Sequence, residues 1–263
     1  MSAPDVEYIN VVKIGGNVID NDVALARFIE DFAKLPSPKV LVHGGGKLAT
    51  RLGEKLGVPA TMIDGRRVTD RETLDIVTMV YAGLVNKQVV AALQAAGCNA
   101  IGLSGADANT IPATRRSPVP VDFGFVGDID AGTINSEFMA TLFSSGITPV
   151  LCAITHDGKG CLLNSNADSV ASAVAVAVAR IAPAQMHFCF EKQGVMRDVD
   201  DPSSLIPEIT PALYATLREE GVVNKGMIPK IDNAFRAVEA GVARVIIKHS
   251  DNLLSDTGTV IRL

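Results

Sequence analysis

VVKIGGNVID, residues 11–20, and VLVHGGGKLAT, residues 40–50, share one design: a short β-branched run that stops at clustered glycines. Glycines placed directly after a parallel strand and before a helix bring bare backbone N–H groups to the carboxyl edge of a sheet. The helix dipole also favours anions there, so phosphate or carboxylate is the natural guest. A single Gly-Gly pair is as readily a tight turn with close packing. Two pairs, with Lys13 just ahead of the first, favour an anion site.

Apolar β-branched runs at 8–14, 39–43, 99–103, 147–154 and 243–248 alternate with helical patterns around 22–34, 47–56, 70–97, 135–145 and 230–240. Such alternation predicts an α/β protein with a mostly parallel sheet covered on both faces. AAGCNAIGL, SSGITPVLC and EAGVARVII each read as helix, glycine, buried strand, the punctuation of a left-handed helix end. The run VASAVAVAV alternates like a strand but is rich in alanine. Asn166 and Asp168 stand where helix-starting residues belong, and the segment is read as a helix. Residues 104–135, rich in Gly, Pro and Asp, are expected to form a hairpin or flap off the sheet, and 196–209 a second irregular stretch. No internal repeat or low-complexity linker appears, so the expectation is two lobes on one continuous sheet, 1–180 and 181–263.

The composition narrows the function. A net charge of −5 with mixed signs provides no basic stripe for nucleic acid, and 48% hydrophobic residues suffice for a large core. The four cysteines, Cys98, Cys152, Cys161 and Cys189, form no CxxC pair and no zinc-ligand spacing with histidine, which fits buried thiols in a cytoplasmic protein. The amino terminus, MSAPDVEYIN, lacks the apolar stretch of a secretory signal, and the run 169–179 is too short to span a bilayer. HGGGKLA is not a Walker A loop, since no Ser or Thr follows Lys47. Nor is it GxGxxG, since Ala49 takes the third glycine position.

KIGGNVID, VLVHGGGK, GRRVTD, NSNADSVA, GMIPKI and DTGTVI occur in order along nearly the whole chain. In this order and spacing they resemble the amino acid kinase superfamily, and within it the N-acetyl-L-glutamate kinase branch. The resemblance implies the amino acid kinase fold, a three-layer α/β/α sandwich. Residues 1–180 would form the acylglutamate-binding and dimerisation lobe and 181–263 the nucleotide lobe. It also implies ATP-dependent phosphorylation of the side-chain carboxylate of N-acetyl-L-glutamate in arginine biosynthesis.

The residue types suit that chemistry, because donor and acceptor are both anions and the protein mainly positions and neutralises them. By resemblance, Lys13 contacts the transferring phosphoryl, Lys230 serves the nucleotide side, and Asp168 orients both lysines. Gly15 and Gly16 would donate to the γ-phosphate, and Gly45 and Gly46 to the accepting carboxylate and phosphoryl. Arg67 and Asn164 would hold the substrate, Arg67 gripping its α-carboxylate with a planar fork of donors. Magnesium would arrive on ATP, with no protein metal cage.

The family pattern is departed from in the nucleotide lobe. Phe190 replaces a hydroxyl residue although Glu191 keeps an acid, Lys225 replaces a glycine, and Ala106 stands where lysine is common. The start of the chain lacks the amino-terminal helix of arginine-inhibited hexamers, so a homodimer is expected. Two alternatives stay open: N-succinyl-L-glutamate as acceptor, suggested by Arg66 in GRRVT, and a silent binding protein of the same fold.

Overall fold

A computed structural model describes residues 7–198, 200–223 and 227–263. The elements run in chain order β1 (Ile9–Ile14), α1 (Gly16–Ile19), α2 (Asp22–Lys34), β2 (Lys39–His43), α3 (Gly46–Lys55), β3 (Met62–Ile63), β4 (Arg66–Arg67) and α4 (Arg71–Thr78). A π-helical segment, Met79–Val85, carries α4 into α5 (Asn86–Ala95), followed by β5 (Ala100–Leu103), β6 (Thr114–Arg115), β7 (Gly127–Asp128), α6 (Ser136–Ser144) and β8 (Thr148–Cys152). Then come β9 (Ile154–His156), β10 (Leu162–Asn164), α7 (Ala167–Val178), β11 (Ala184–Phe190), β12 (Glu208–Ile209), α8 (Pro211–Glu219), α9 (Ile228–Glu239), β13 (Arg244–His249) and β14 (Thr259–Ile261).

Eight strands form one sheet in the order β12-β14-β13-β11-β1-β2-β8-β5, and only the β13–β14 pair is antiparallel. With helices on both faces, the inner strands are buried on both sides, which is why INVVKI and KVLVH carry no polar alternation. β1 and β2 lie side by side with Ile14 opposite His43, so the two glycine turns leave the same sheet edge together.

Helix ends are set locally. Asn21 caps α2 by accepting from the Ala24 N–H at 3.0 Å, a contribution of about 1 kcal/mol. Buried Lys39 caps the other end of α2, donating to the carbonyls of Phe32, Ala33 and Leu35 at 2.7–2.8 Å. Gly97, Gly146 and Gly241 take φ of 77°, 67° and 99°, the left-handed ends expected of them. Helix α7 is buried on nearly every side, its alanines letting it lie close to β1 and β11.

Three expectations need adjusting. The strand expected over 147–154 ends at Cys152, and Ile154–His156 leaves the sheet to pair with β10. The 70–97 helix contains the π-helical segment. Helix α8, with Thr210 as cap and Pro211 in its first turn, was not anticipated. The 104–135 segment does form a hairpin off the sheet, β6 pairing with β7. The helical stretch Arg71–Ala95 has the length and hydropathy of a membrane span. It carries charged Arg71, Glu72, Asp75 and Lys87, however, and it buries Leu74, Val77, Val80, Val85, Val89 and Leu93 in the core.

Candidate active site

Asp168 sits in the first turn of α7, beside the carboxyl ends of β1 and β2. Asn166 sets that turn by accepting from the Asp168 and Ser169 N–H groups at 2.9 and 3.1 Å. Lys13 Nζ lies 2.6 Å from Asp168 Oδ1 as an ion pair, and Lys230 Nζ donates to Oδ2 at 2.6 Å. One carboxylate thus holds two ammonium groups, contributed by the central strand β1 and by α9. Burial alone would raise the Asp168 pKa, but Lys13 and Lys230 outweigh it and hold the carboxyl at about 2. Burial pulls the Lys13 pKa down, Asp168 opposes that, and Lys230 adds to it. Both lysines are thus fixed on one shared carboxylate, an arrangement that favours a further anion.

A cavity of about 890 Å³ opens beside this cluster. Gly45, Gly46, Arg67, Asn164 and Asp168 line it. Arg67 Nη2 donates to the Gly46 carbonyl at 2.9 Å and to Thr50 Oγ1 at 2.7 Å, which fixes the guanidinium against the second glycine turn. Asn164 Nδ2 donates to buried Thr69 Oγ1 at 3.0 Å, and that hydroxyl reaches back to the Arg67 carbonyl at 3.3 Å. The ion pair of Arg116 with Asp128 on the hairpin also borders the cavity.

The two turns differ in detail. A Cβ on Gly45 would come within 2.9 Å of the Tyr81 ring, so only glycine fits above this tyrosine from the π-helical segment. Among the described residues no acceptor is bonded to the Gly45 N–H. Gly46 opens α3, where a first-turn N–H has no partner within the helix. At the first turn, the Gly15 N–H already donates to the Cys189 carbonyl at 2.9 Å. This runs against the expectation that Gly15 offers its amide to phosphate; Gly16 stands next to it at the start of α1. Gly15, Gly16, Lys13, Lys230 and Glu191 lie outside the lining of the cavity, and Glu191 is exposed at the end of β11. Lys225 lies outside the described residues.

Sequence reasoning missed Tyr81, which carries no motif, Thr69, which sits inside GRRVTD without being singled out, and the buried side chains of His43 and Asn86. His43 had a signal, being the polar residue between the apolar run Val40, Leu41, Val42 and the glycines.

An open parallel sheet whose two neighbouring glycine turns face a Lys–Asp–Lys cluster defines a phosphoryl-transfer class. The chain belongs to the Amino acid kinase family, whose pattern matches residues 9–249. Among its relatives are the acetylglutamate kinase of Cytophaga hutchinsonii, 52% identical over 93% of this chain and 92% of that one, and that of Phocaeicola vulgatus, 46% identical over 97% and 99%. A crystal structure of smu.665 from Streptococcus mutans superposes with a TM-score of 0.78 at 31% identity, covering 96% of this chain and 98% of that one. Carbamate kinase from Giardia lamblia shares the fold, with a TM-score of 0.66 at 16% identity over 97% and 98% of the chains.

Proposed function

We propose that this protein transfers the γ-phosphoryl group of ATP to the side-chain carboxylate of N-acetyl-L-glutamate, forming the acyl phosphate and ADP. The observation that carries the reading is the Asp168 carboxylate gripping Lys13 and Lys230 beside two glycine turns. A carboxylate oxygen of the substrate attacks the γ-phosphorus, and the bond to the bridging oxygen of ADP breaks. The acceptor is ionised at neutral pH, so no general base is needed. Lys13 and Lys230 neutralise charge spreading over the phosphoryl oxygens, and Asp168 keeps them in place without taking a proton.

On the acceptor side, Arg67 and Asn164 hold the substrate while the Gly45 and Gly46 amides face the reacting oxygens. On the donor side, Gly16 serves the phosphates and Glu191 the nucleotide. The chain accordingly divides near residue 180 into an acylglutamate lobe and a nucleotide lobe. Magnesium enters with ATP: the Asp168 carboxylate is already engaged by two lysines, and no group of three His, Cys, Asp or Glu side chains among the described residues could hold an ion. We also infer a cytoplasmic homodimer, supported by exposed Met79 and Leu84 on the long helix and Ile101 on the edge strand β5.

Neither alternative acceptor nor silent binding is favoured. The relatives carry the acetylglutamate name, Arg66 is exposed at the cavity rim, and a pure binder has no use for two phosphoryl lysines. The test supplies ATP, magnesium and hydroxylamine with N-acetylglutamate or N-succinylglutamate. Hydroxamate and ADP formed on the acetyl compound support the reading. Their absence overturns it, and preference for the succinyl compound revises the acceptor.

A further inference from the structure

We propose that buried His43 and Asn86 act as a positioning pair that aims the Gly45 N–H into the acceptor cavity, an inference that rests on the acylglutamate kinase reading for its consequence but not for its geometry. The hydrogen-bond inventory of Asn86 closes in only one way. Its Nδ2 lies 3.0 Å from the Val150 carbonyl and 3.0 Å from His43 Nε2, while its Oδ1 accepts from Lys87 Nζ at 3.1 Å. With Lys87 a donor only, the amide orientation is fixed and both N–H groups of Asn86 are assigned. His43 Nε2 must therefore accept, which places the imidazole proton on Nδ1. Nδ1–H then donates to the Gly44 carbonyl at 2.8 Å.

That last bond reaches the site. The Gly44–Gly45 peptide is trans and planar, so its C=O and N–H point in opposite directions. Holding the Gly44 oxygen toward His43 turns the Gly45 N–H away from the imidazole. This is the amide with no acceptor among the described residues, on a glycine that lines the cavity. Burial keeps the imidazole neutral, with its pKa down at about 4, so the tautomer persists through the neutral range. The groups facing His43 are Lys87 from α5, Cys152 opposite it on β8 and Ile14 opposite it on β1. The Cys152 thiol is pushed up to about 12 and stays neutral.

The test is Asn86→Asp, read by nitrogen NMR of histidine-labelled protein and by kinetics from pH 5 to 9. The wild-type spectrum is expected to show His43, assigned by its loss in His43→Asn, as the Nδ1–H tautomer throughout. A carboxylate at position 86 only accepts, so it draws a proton onto Nε2. As the cation, His43 still donates to Gly44. As the neutral Nε2–H form it turns a lone pair on the carbonyl. The variant should therefore lose kcat/KM for N-acetylglutamate by about tenfold or more as pH rises through the new His43 pKa, recover toward acid, and keep its KM for ATP. A wild-type Nε2–H tautomer overturns the proposal without any substitution, as does an Asn86→Asp pH profile matching the wild type. Absence of acyl phosphate formation by the wild type would instead remove the functional reading and leave the tautomer assignment standing.

Discussion

Two neighbouring strands end in nearly the same words, Ile-Gly-Gly and His-Gly-Gly-Gly, in register at one sheet edge, yet the two turns are built differently. At the first, Gly15 has extended backbone angles that any residue can adopt, its amide is tied to the Cys189 carbonyl, and a Cβ would meet only ordinary contacts. At the second, the Tyr81 ring leaves no room for a Cβ on Gly45, and a buried histidine pins the preceding carbonyl. The second turn is shaped by its own packing, and the first is tied to the neighbouring strand.

What both turns share is the lysine pair between them, and removing it should have the largest effect. Lys13→Ala and Lys230→Ala should each lower kcat by a factor on the order of 10² or more, because the lost contact is made to transition-state charge. Binding of N-acetylglutamate should change far less. Near-wild-type turnover in both variants would break the mechanism on either side of the comparison.

Gly45→Ala tests the claim that packing shapes the second turn. Tyr81 is buried and cannot yield freely, so the methyl should cost about 1–3 kcal/mol of stability and at least tenfold in kcat/KM. Trimming the ring in a Gly45→Ala/Tyr81→Leu double variant should recover part of that stability, a non-additivity expected only if the two groups touch. Strictly additive losses in urea unfolding would separate Tyr81 from the turn.

Only the second turn carries an acid-sensitive support. His43 is depressed to about 4 by burial, from 6.5 in the unfolded chain, so between those values the unfolded state binds more protons. Stability from this group is full above about pH 6.5 and is lost as pH falls toward 4, roughly 2 kcal/mol of it by pH 5. His187, buried and lowered to about 3, acts in the same direction, whereas Asp168 begins to contribute only below about pH 4. His43→Asn should flatten the slope of unfolding free energy against pH between 7 and 5 and leave the His187 share. An unchanged slope would show that His43 is not the neutral support described.

The sheet, its edge and the site lysines were legible because strand-glycine-helix punctuation is local: Gly97, Gly146 and Gly241 each close a helix as their context requires. Helix α7 was legible through Asn166 despite a strand-like alternation, since a cap and alanine outweigh the periodicity of three valines. Less visible was anything depending on distant partners. Nothing in KIGG tells that the Gly15 amide is spent on a strand 174 residues later, or that Lys39 is buried as a helix cap. The His43–Asn86 contact joins positions 43 residues apart with no motif linking them. The signal for α8, Thr-Pro at its start, was present and went unread.

Arg67→Ala should have a smaller effect, of another kind. The guanidinium would hold a carboxylate that is bound alike before and during transfer, so KM for N-acetylglutamate should rise about tenfold with kcat nearly kept. Its contacts to the Gly46 carbonyl and Thr50 tie it to the second glycine turn. A rise in KM for ATP with acceptor affinity intact would move Arg67 to the wrong subsite.

The smallest effect on the fold, and the sharpest contrast with Gly45, belongs to Gly16→Ala. No atom lies within 4 Å of a Cβ built on Gly16, and its φ is not positive, so alanine fits at the head of α1. With a stiffer unfolded chain, stability should hold or rise by about 0.4–1 kcal/mol, opposite in sign to Gly45→Ala. If the first turn keeps glycine so that a phosphate can approach its backbone, the same methyl should raise KM for ATP severalfold while KM for N-acetylglutamate stays put. Thermal unfolding and the two KM values decide it together. A fall in Tm would mean that packing shapes both turns, and an unchanged KM for ATP would mean that the donor phosphate does not come to Gly16.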